Sequence, residues 1–228
     1  MQQIPLDIGV PLVPSFENFL PGPNGEVISY LRQWVQGGAV GVESSPVGVY
    51  IGGESGSGKS HLVGALAEAL RHRGQGVGVL HPDALAKVEF DPTWSALILE
   101  DVHAYDAVQQ QLAFNWFVNA QSHQRTVFST GNAVPRALVL REDLRTRLGG
   151  GQIFYLQPLS DAQVRTVLRE SAQARGLVLG DEVLDFVLHR FRRDLGSLMP
   201  LLAALDHYAM QTQRAITIPF IKTMLENI

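Results

Sequence analysis

Short apolar runs alternate with longer amphipathic segments through the first two thirds of the chain. The apolar runs predict buried strands at residues 47–51, 77–80, 96–99, 126–129 and 153–156. The amphipathic segments predict helices at residues 26–36, 60–73 and 106–122, the last capped by Asp106. Strands that are apolar throughout and separated by helices indicate a parallel sheet covered by helices on both faces.

The pattern becomes wholly helical after Pro158. Ser160 has the residue type that caps a helix start, and Gly176 the type that ends one. Further amphipathic segments at 181–191, 197–212 and 219–227 predict three more helices. We therefore expect an α/β domain at residues 26–157, followed by a small all-α domain at 158–228. Residues 1–25 are rich in proline and glycine and predict an extended lead-in.

The composition is that of a folded protein. The 228 residues are 46% hydrophobic and 18% charged, which excludes intrinsic disorder. No apolar stretch approaches the roughly 20 residues that span a bilayer, and the first residues lack the basic and apolar regions of a secretory signal. We therefore expect a cytoplasmic protein without membrane association. The absence of cysteine excludes disulfide scaffolds, zinc ribbons, Fe–S clusters and thiol catalysis.

The charge limits what the chain can bind. A net charge of −4 lacks the basic excess of a free-standing DNA-binding domain, so any contact with DNA is expected to be local or to be made through a partner. None of the seven histidines lies three or four positions from another, which excludes a helical histidine pair as a metal site.

One motif carries strong chemical information. It matches the phosphate-loop pattern G-x-x-x-x-G-K-[ST] at every fixed position, through Gly53, Glu54, Ser55, Gly56, Ser57, Gly58, Lys59 and Ser60. Glycines let backbone amides approach a phosphate, Lys59 reaches the β and γ oxygens, and Ser60 completes a Mg²⁺ shell. A chance glycine turn gives this pattern in about 1% of chains of this length. The motif also follows a predicted strand and opens a predicted helix, so we expect bound ADP or ATP with Mg²⁺.

A second acidic element lies at the end of the strand at 96–99. Glu100 and Asp101 are placed to hold Mg²⁺ through its waters and to polarise an attacking water. The alternative is an acidic pair that merely closes a strand.

Four segments together resemble the AAA+ module of the DnaA initiator family. They are residues 16–19, the phosphate loop, residues 97–102 and residues 143–152. Within that family, residues 152–161 and the leucine-rich 198–205 are more similar to Hda, the regulatory inactivators of DnaA. The resemblance covers essentially the whole chain, and it implies an AAA+ P-loop domain followed by a helical lid.

The resemblance also implies roles for matched residues. Thr130 and Asn132 match the sensor-1 region, which reads the γ-phosphate. Arg147 matches the arginine finger, which acts on nucleotide held by a neighbouring subunit; the alternative is one more solvated arginine beside Arg141 and Arg145. In that reading Asp101 and Arg147 are the catalytic residues.

The chain departs from the family pattern at two places. Glu100 stands where the family usually has the Mg²⁺-binding aspartate, and Gly196 stands where it has the sensor-2 arginine. Arg192 and Arg193 are the nearest candidates to replace that arginine, and surface charges are the alternative. Weak or no intrinsic ATPase activity is therefore expected.

The resemblance extends to the first residues. Gln3, Ile4 and Leu6 resemble the short clamp-binding peptide of Hda-like proteins, with the apolar side chains seated in a groove. A disordered tail is the alternative. Residues 1–25 are thus expected to be a clamp-binding peptide and its linker.

These resemblances imply a regulator of replication initiation. It binds nucleotide and the sliding clamp (the β subunit of DNA polymerase), promotes hydrolysis of DnaA-bound ATP and so inhibits re-initiation. Three alternatives stay open: an initiator, a self-sufficient ATPase of the helicase-loader type, and an adaptor that only tethers other proteins to the clamp. The initiator family has a basic helix-turn-helix domain after the lid, whereas this chain ends at Ile228. A homodimer is possible, and ADP cannot be distinguished from ATP.

Overall fold

The computed structural model describes residues 13–37, 48–84, 89–191 and 195–226. The predictions for Gln3, Ile4 and Leu6, and those for Arg192 and Arg193, lie outside these ranges. The chain divides between Pro158 and Leu159 into an α/β unit that begins at Pro14 and a helical unit.

The α/β unit alternates strands and helices. Its elements are α1 (Gly25–Gly37), β1 (Gly48–Gly53), α2 (Lys59–His72), β2 (Gly76–Leu80), β3 (Trp94–Leu99), α3 (Ala107–Ser122), β4 (Thr126–Gly131), α4 (Glu142–Gly149) and β5 (Gln152–Leu156). Short 3₁₀ turns lie at Gly22–Asn24, Val102–Ala104 and Pro135–Ala137. All five predicted strands are confirmed, with ends shifted by a residue or two.

The strands form one parallel sheet in the order β2-β3-β4-β1-β5. Alternate strand residues enter two cores, because neighbours along a strand point to opposite faces. Ile51 packs with α1 and α2 on one face, and Tyr50 packs with α3 and α4 on the other. The predicted parallel sheet, covered on both faces, is therefore confirmed.

Helix α4 was not predicted from the apolar pattern. It is short and charged, and only Leu144 and Leu148 are buried. Two apolar positions one turn apart are too few to show a helical period.

The helical unit contains α5 (Asp161–Ala174), α6 (Asp181–Arg190), α7 (Leu195–Thr212) and α8 (Ile218–Glu226). Leucine, valine and isoleucine side chains from these helices share one core. Ser160 caps α5 as predicted, in a reciprocal pair with Gln163, and Gly176 has the left-handed φ of +73° that follows a helix end. The predicted all-α character is confirmed for the part of this unit that the structure describes. Among all described helices, none is long and apolar enough to cross a membrane.

Candidate functional site

The phosphate-loop motif connects β1 to α2 at the carboxyl edge of the sheet. Gly58 is the N-cap of α2 and has a left-handed φ of +98°, which glycine adopts without steric cost. The first amides of α2 have no carbonyl acceptor within the helix, and they point with the positive end of the helix dipole toward the loop. The backbone is thus arranged to receive an anion.

Lys59 lies inside this loop rather than in solvent. Lys59 is 7% exposed, and its Nζ donates to the carbonyl oxygens of Gly53 and Glu54, each at 2.9 Å. Burial lowers the pKa of Lys59, and the negative charge of Asp101 acts in the opposite direction. The ammonium therefore stands fixed among the loop carbonyls.

The hydroxyls of the loop complete its donor set. The Oγ of Ser57 is buried and has no hydrogen-bond partner among the described residues, so it has donor and acceptor capacity to give to a phosphate oxygen. Ser60 is exposed on the first turn of α2. Its hydroxyl is a hard oxygen donor of the kind that suits Mg²⁺. The residues present therefore fit a nucleotide phosphate with Mg²⁺.

The acidic pair lies at the same edge of the sheet. The backbone amide of Asp101 donates to the Oγ1 of Thr130 at 2.8 Å, and the amide of Glu100 donates to the Leu80 carbonyl at 2.9 Å. These bonds join the ends of β2, β3 and β4. Thr130 is fully buried at the end of β4, and Asn132 is exposed just beyond it.

The two carboxylates have different surroundings. Burial raises the pKa of Glu100, while the charge of His81 lowers it in part. Asp101 has a left-handed φ of +46°, and its Oδ1 lies 3.9 Å from the Nδ1 of His103. Asp101 is the carboxylate whose charge acts on Lys59. Within the described ranges no three His, Asp or Glu side chains form a metal cluster, so Mg²⁺ would depend on phosphate and water oxygens as well.

Tyr50 is a residue of this edge that sequence reasoning missed. Its hydroxyl donates to the Ala133 carbonyl at 2.5 Å, and burial raises the pKa of Tyr50, which keeps the hydroxyl protonated. A Cβ on Gly131 would lie 2.1 Å from that hydroxyl, so only glycine allows the contact. The bond fixes the turn that carries Asn132. A glycine directly after an apolar strand was the available signal.

Arg147 lies at the opposite edge of the sheet. Its carbonyl oxygen is 3.4 Å from the Cβ position of Gly48, the first residue of β1. The rest of β1 separates that point from the phosphate loop by about 17 Å, at roughly 3.3 Å per residue. The structure therefore does not bring Arg147 to the phosphate loop of its own chain.

The Arg147 side chain rests on α3. Its guanidinium carbon is 5.0 Å from the centre of the Phe114 ring, and Nη1 is 3.4 Å from the Oε1 of Gln121. Arg141 approaches the same ring at 5.8 Å and pairs with Asp143 at 2.6 Å. Phe114 was not singled out from the sequence, because one phenylalanine within an apolar helix has no distinguishing pattern.

Gly196, the position matched to the sensor-2 arginine, lies in the first turn of α7. The glycine supplies no cation there.

A family model matches most of the helical unit. Residues 161–225 match the family model described as "Hda, lid domain". The fold is similar to domain III of the Thermotoga maritima replication initiation protein DnaA, with 18% identity, a TM-score of 0.74, and coverage of 93% of this chain and 95% of that one. It is also similar to AMPPCP-bound DnaA from Aquifex aeolicus, with 21% identity, a TM-score of 0.65, and coverage of 83% of this chain and 64% of that one.

The fold alone does not select one family. A mutant of Thermotoga maritima RuvB matches with a TM-score of 0.65 at 15% identity, over 94% of this chain and 72% of that one. The family match adds a sequence likeness for residues 161–225. The chain thus combines a fold similar to that of DnaA domain III with a segment that matches the lid domain of Hda.

Proposed function

We propose that the protein is a regulator of replication initiation that uses Arg147 on ATP held by DnaA. In this proposal it binds ADP or ATP with Mg²⁺ at residues 53–60, holds the sliding clamp through Gln3, Ile4 and Leu6, and promotes hydrolysis on its DnaA partner. DNA is contacted only through the clamp.

The position of Arg147 is the observation that supports this proposal most directly. The side chain is half-buried against Phe114 at the amino edge of the sheet, far from its own phosphate loop. A guanidinium at the surface can supply positive charge to a phosphoryl group that another molecule holds, and such a finger is worth 10³–10⁵ in rate. The Hda-type lid provides the link to DnaA as that other molecule.

The nucleotide part rests on the carboxyl edge. Lys59 would bind the β and γ oxygens, Ser60 and Glu100 would hold Mg²⁺, and Thr130 and Asn132 would read the γ-phosphate. Asp101, hydrogen-bonded through its amide to Thr130, would orient water. Because Glu100 is a methylene longer than aspartate and is half-buried, turnover by the protein alone is expected to be weak.

The decisive experiment measures hydrolysis of DnaA-bound ATP with clamp loaded on DNA. Arg147→Ala should lose stimulation on the order of 10³-fold, while ADP binding and clamp binding stay at wild-type level. Arg145→Ala, two positions away on the same helix, is the matched control and should lose far less. Full stimulation by Arg147→Ala rejects the finger and favours an adaptor that only tethers partners to the clamp.

The clamp part is tested separately. Gln3→Ala combined with Leu6→Ala should abolish capture of the clamp and leave nucleotide affinity unchanged. If the protein still binds the clamp after deletion of residues 1–10, the proposed role of the peptide is contradicted.

A self-sufficient ATPase is the second candidate. The charge of Asp101 acts on Lys59, and the Asp101 amide donates to Thr130. Both observations favour this candidate, because these groups would serve hydrolysis of the chain's own nucleotide. Rapid ATP turnover by the isolated protein, unchanged in Arg147→Ala, would select this candidate instead.

A further inference from the structure

Residues 14–24, called here the covering segment, lie against the phosphate loop and the start of α2. Pro14 contacts Gly64 of α2, where a Cβ on the glycine would lie 3.2 Å from the proline ring. Phe16 is buried in the core formed with α1 and α2. The segment supplies none of the phosphate-loop side chains, yet it covers the point at which the loop becomes a helix.

Phe19 makes the closest of these contacts. A Cβ on Gly58 would lie 2.7 Å from the Cε2 of Phe19 and 3.3 Å from its Cζ, so the ring sits directly on the glycine backbone. The same ring lies 5.5 Å from the His61 ring, tilted by 56°. One aromatic side chain thus contacts both the last loop glycine and the first turn of α2.

Polar contacts hold the turn that carries Phe19. Ser15 and Asn18 exchange hydrogen bonds, from the Ser15 amide to Asn18 Oδ1 at 2.9 Å and from the Asn18 amide to Ser15 Oγ at 3.2 Å. The Nε2 of His61 lies 3.1 Å from the Ser15 carbonyl, and burial lowers the pKa of His61. Arg32 donates to the Phe16 carbonyl at 2.8 Å. The turn that carries the ring is therefore held by contacts within the segment and by side chains of α1 and α2.

The far end of the covering segment is fastened to β5. The amide nitrogen of the Asn24 side chain donates to the Gln157 carbonyl at 3.0 Å, and the Gln157 amide donates to Asn24 Oδ1 at 2.8 Å. Asn24 is 5% exposed, so its side of both bonds is shielded from water. The segment is thus fixed at α2 and at the end of β5.

We propose that Phe19 is a positioning residue for the phosphate loop. Glycine visits several backbone conformations at little cost, so a loop with three glycines loses freedom when it closes on a phosphate. The ring excludes other positions of the Gly58 backbone and keeps the amides and Lys59 aimed at the anion before it arrives. Preorganisation of this kind strengthens binding by reducing the ordering cost. The inference rests on the proposed nucleotide site and adds a residue outside the loop to it.

The prediction is a loss of affinity that does not depend on the base. Phe19→Ala should weaken ADP, GDP and pyrophosphate by the same factor, about tenfold, in calorimetry with Mg²⁺, because the phosphates are what these ligands share. Phe19→Leu, which keeps an apolar contact, should lose less, again equally for all three ligands. Hydrogen exchange of the amides of residues 58–60 in the ligand-free protein should speed up in Phe19→Ala, with α3 unchanged.

Phe90→Ala is the matched control. Phe90 is a partly buried ring packed against Trp94 and His123, so its removal costs core packing away from the loop. It should change affinity less than twofold and leave exchange at residues 58–60 unaltered. Were Phe19→Ala to fail to fold, the same comparison is made with Phe19→Leu.

Several results overturn the inference. Weakened ADP with unchanged pyrophosphate means that the ring contacts the base rather than setting the loop. If Phe19→Ala keeps its affinity for all three ligands while Lys59→Ala loses it, the positioning role is rejected and the nucleotide site is kept. Equal affinities of wild type and Lys59→Ala reject the proposed nucleotide site and this inference with it.

Discussion

The two edges of the sheet hold their functional groups in opposite ways. At the carboxyl edge, Lys59 and Thr130 are buried, and each makes hydrogen bonds of 2.8–2.9 Å to neighbouring backbone. At the amino edge, Arg147 is held by a ring and by one long contact of 3.4 Å. Groups that meet a ligand inside the fold can be fixed by the fold. In the proposed function, Arg147 acts on a ligand of another molecule, so its side chain would have to leave its resting place on Phe114.

Helix α3 connects these edges. It begins after Asp106, whose side chain caps it in a reciprocal pair with Gln109, and its last turn carries Gln121 beside Arg147. Its 16 residues span about 24 Å at 1.5 Å each, and none of them is charged. Helix α3 therefore offers the Arg147 guanidinium an aromatic ring and an amide but no carboxylate.

The largest effect is expected from Arg147→Lys. Lysine keeps the charge but lacks the planar fork that contacts two phosphate oxygens, so it should lose nearly as much stimulation of DnaA-bound ATP hydrolysis as alanine, on the order of 10³-fold. The measurement is single-turnover hydrolysis with saturating clamp. Rescue by lysine to within tenfold of wild type would mean that charge alone acts there.

At the carboxyl edge, Lys59→Ala should reduce ADP and ATP affinity about a hundredfold or more, because a charged hydrogen bond to phosphate is lost from a desolvated site. Calorimetry measures this directly. Lys222→Ala is the matched control, since this exposed lysine of α8 lies 5.9 Å from the Phe186 ring and should leave affinity unchanged.

A smaller effect is expected from the ring that supports Arg147. Phe114→Leu removes a cation–π contact worth about 0.5–1 kcal/mol, so stimulation of hydrolysis should fall about two- to fivefold if the ring aligns the arginine. Phe114→Trp keeps an aromatic face and should retain stimulation. Equal losses in both variants would show that shape rather than the aromatic face matters.

The smallest effect concerns pH. Burial raises the pKa of Glu100, so its charged form is disfavoured in the folded protein. The difference in free energy of unfolding between the wild type and Glu100→Gln should be constant below the ordinary glutamate pKa. The wild type should then lose stability relative to the variant as pH rises through the raised pKa. Thermal melts of the two ligand-free proteins test this over about 4 pH units, from about pH 4 to about pH 8, a range that includes that pKa. A gap between the two proteins that stays constant with pH rejects it.

The sequence was sufficient for features whose signal is local. Buried parallel strands are continuous apolar runs, and the phosphate loop is one unbroken motif between a strand and a helix. The caps at Ser160 and Asp106 could likewise be predicted, because the capping side chain and its partner lie three residues apart.

Contacts between distant residues left no such signal. Tyr50 bonds to a carbonyl 83 positions away, and Asn24 pairs with a residue 133 positions away. The contact of Phe114 with Arg147 depends on how α3 and α4 pack, and α4 itself was missed. A resemblance indicated Arg147 as a candidate, but the ring beneath it required the packed structure.

The strand order has a consequence for synthesis of the protein. β1 carries the phosphate loop and pairs only with β4 and β5, which follow much later in the chain. About 100 residues must therefore leave the ribosome after the loop before its strand is enclosed, which takes roughly 5–20 s at 5–20 residues per second. Until β4 emerges, both edges of β1 are unpaired, and until β5 emerges one edge remains unpaired. A nascent chain of this protein should accordingly need protection until β5 has emerged, and only then can Asn24 close on Gln157.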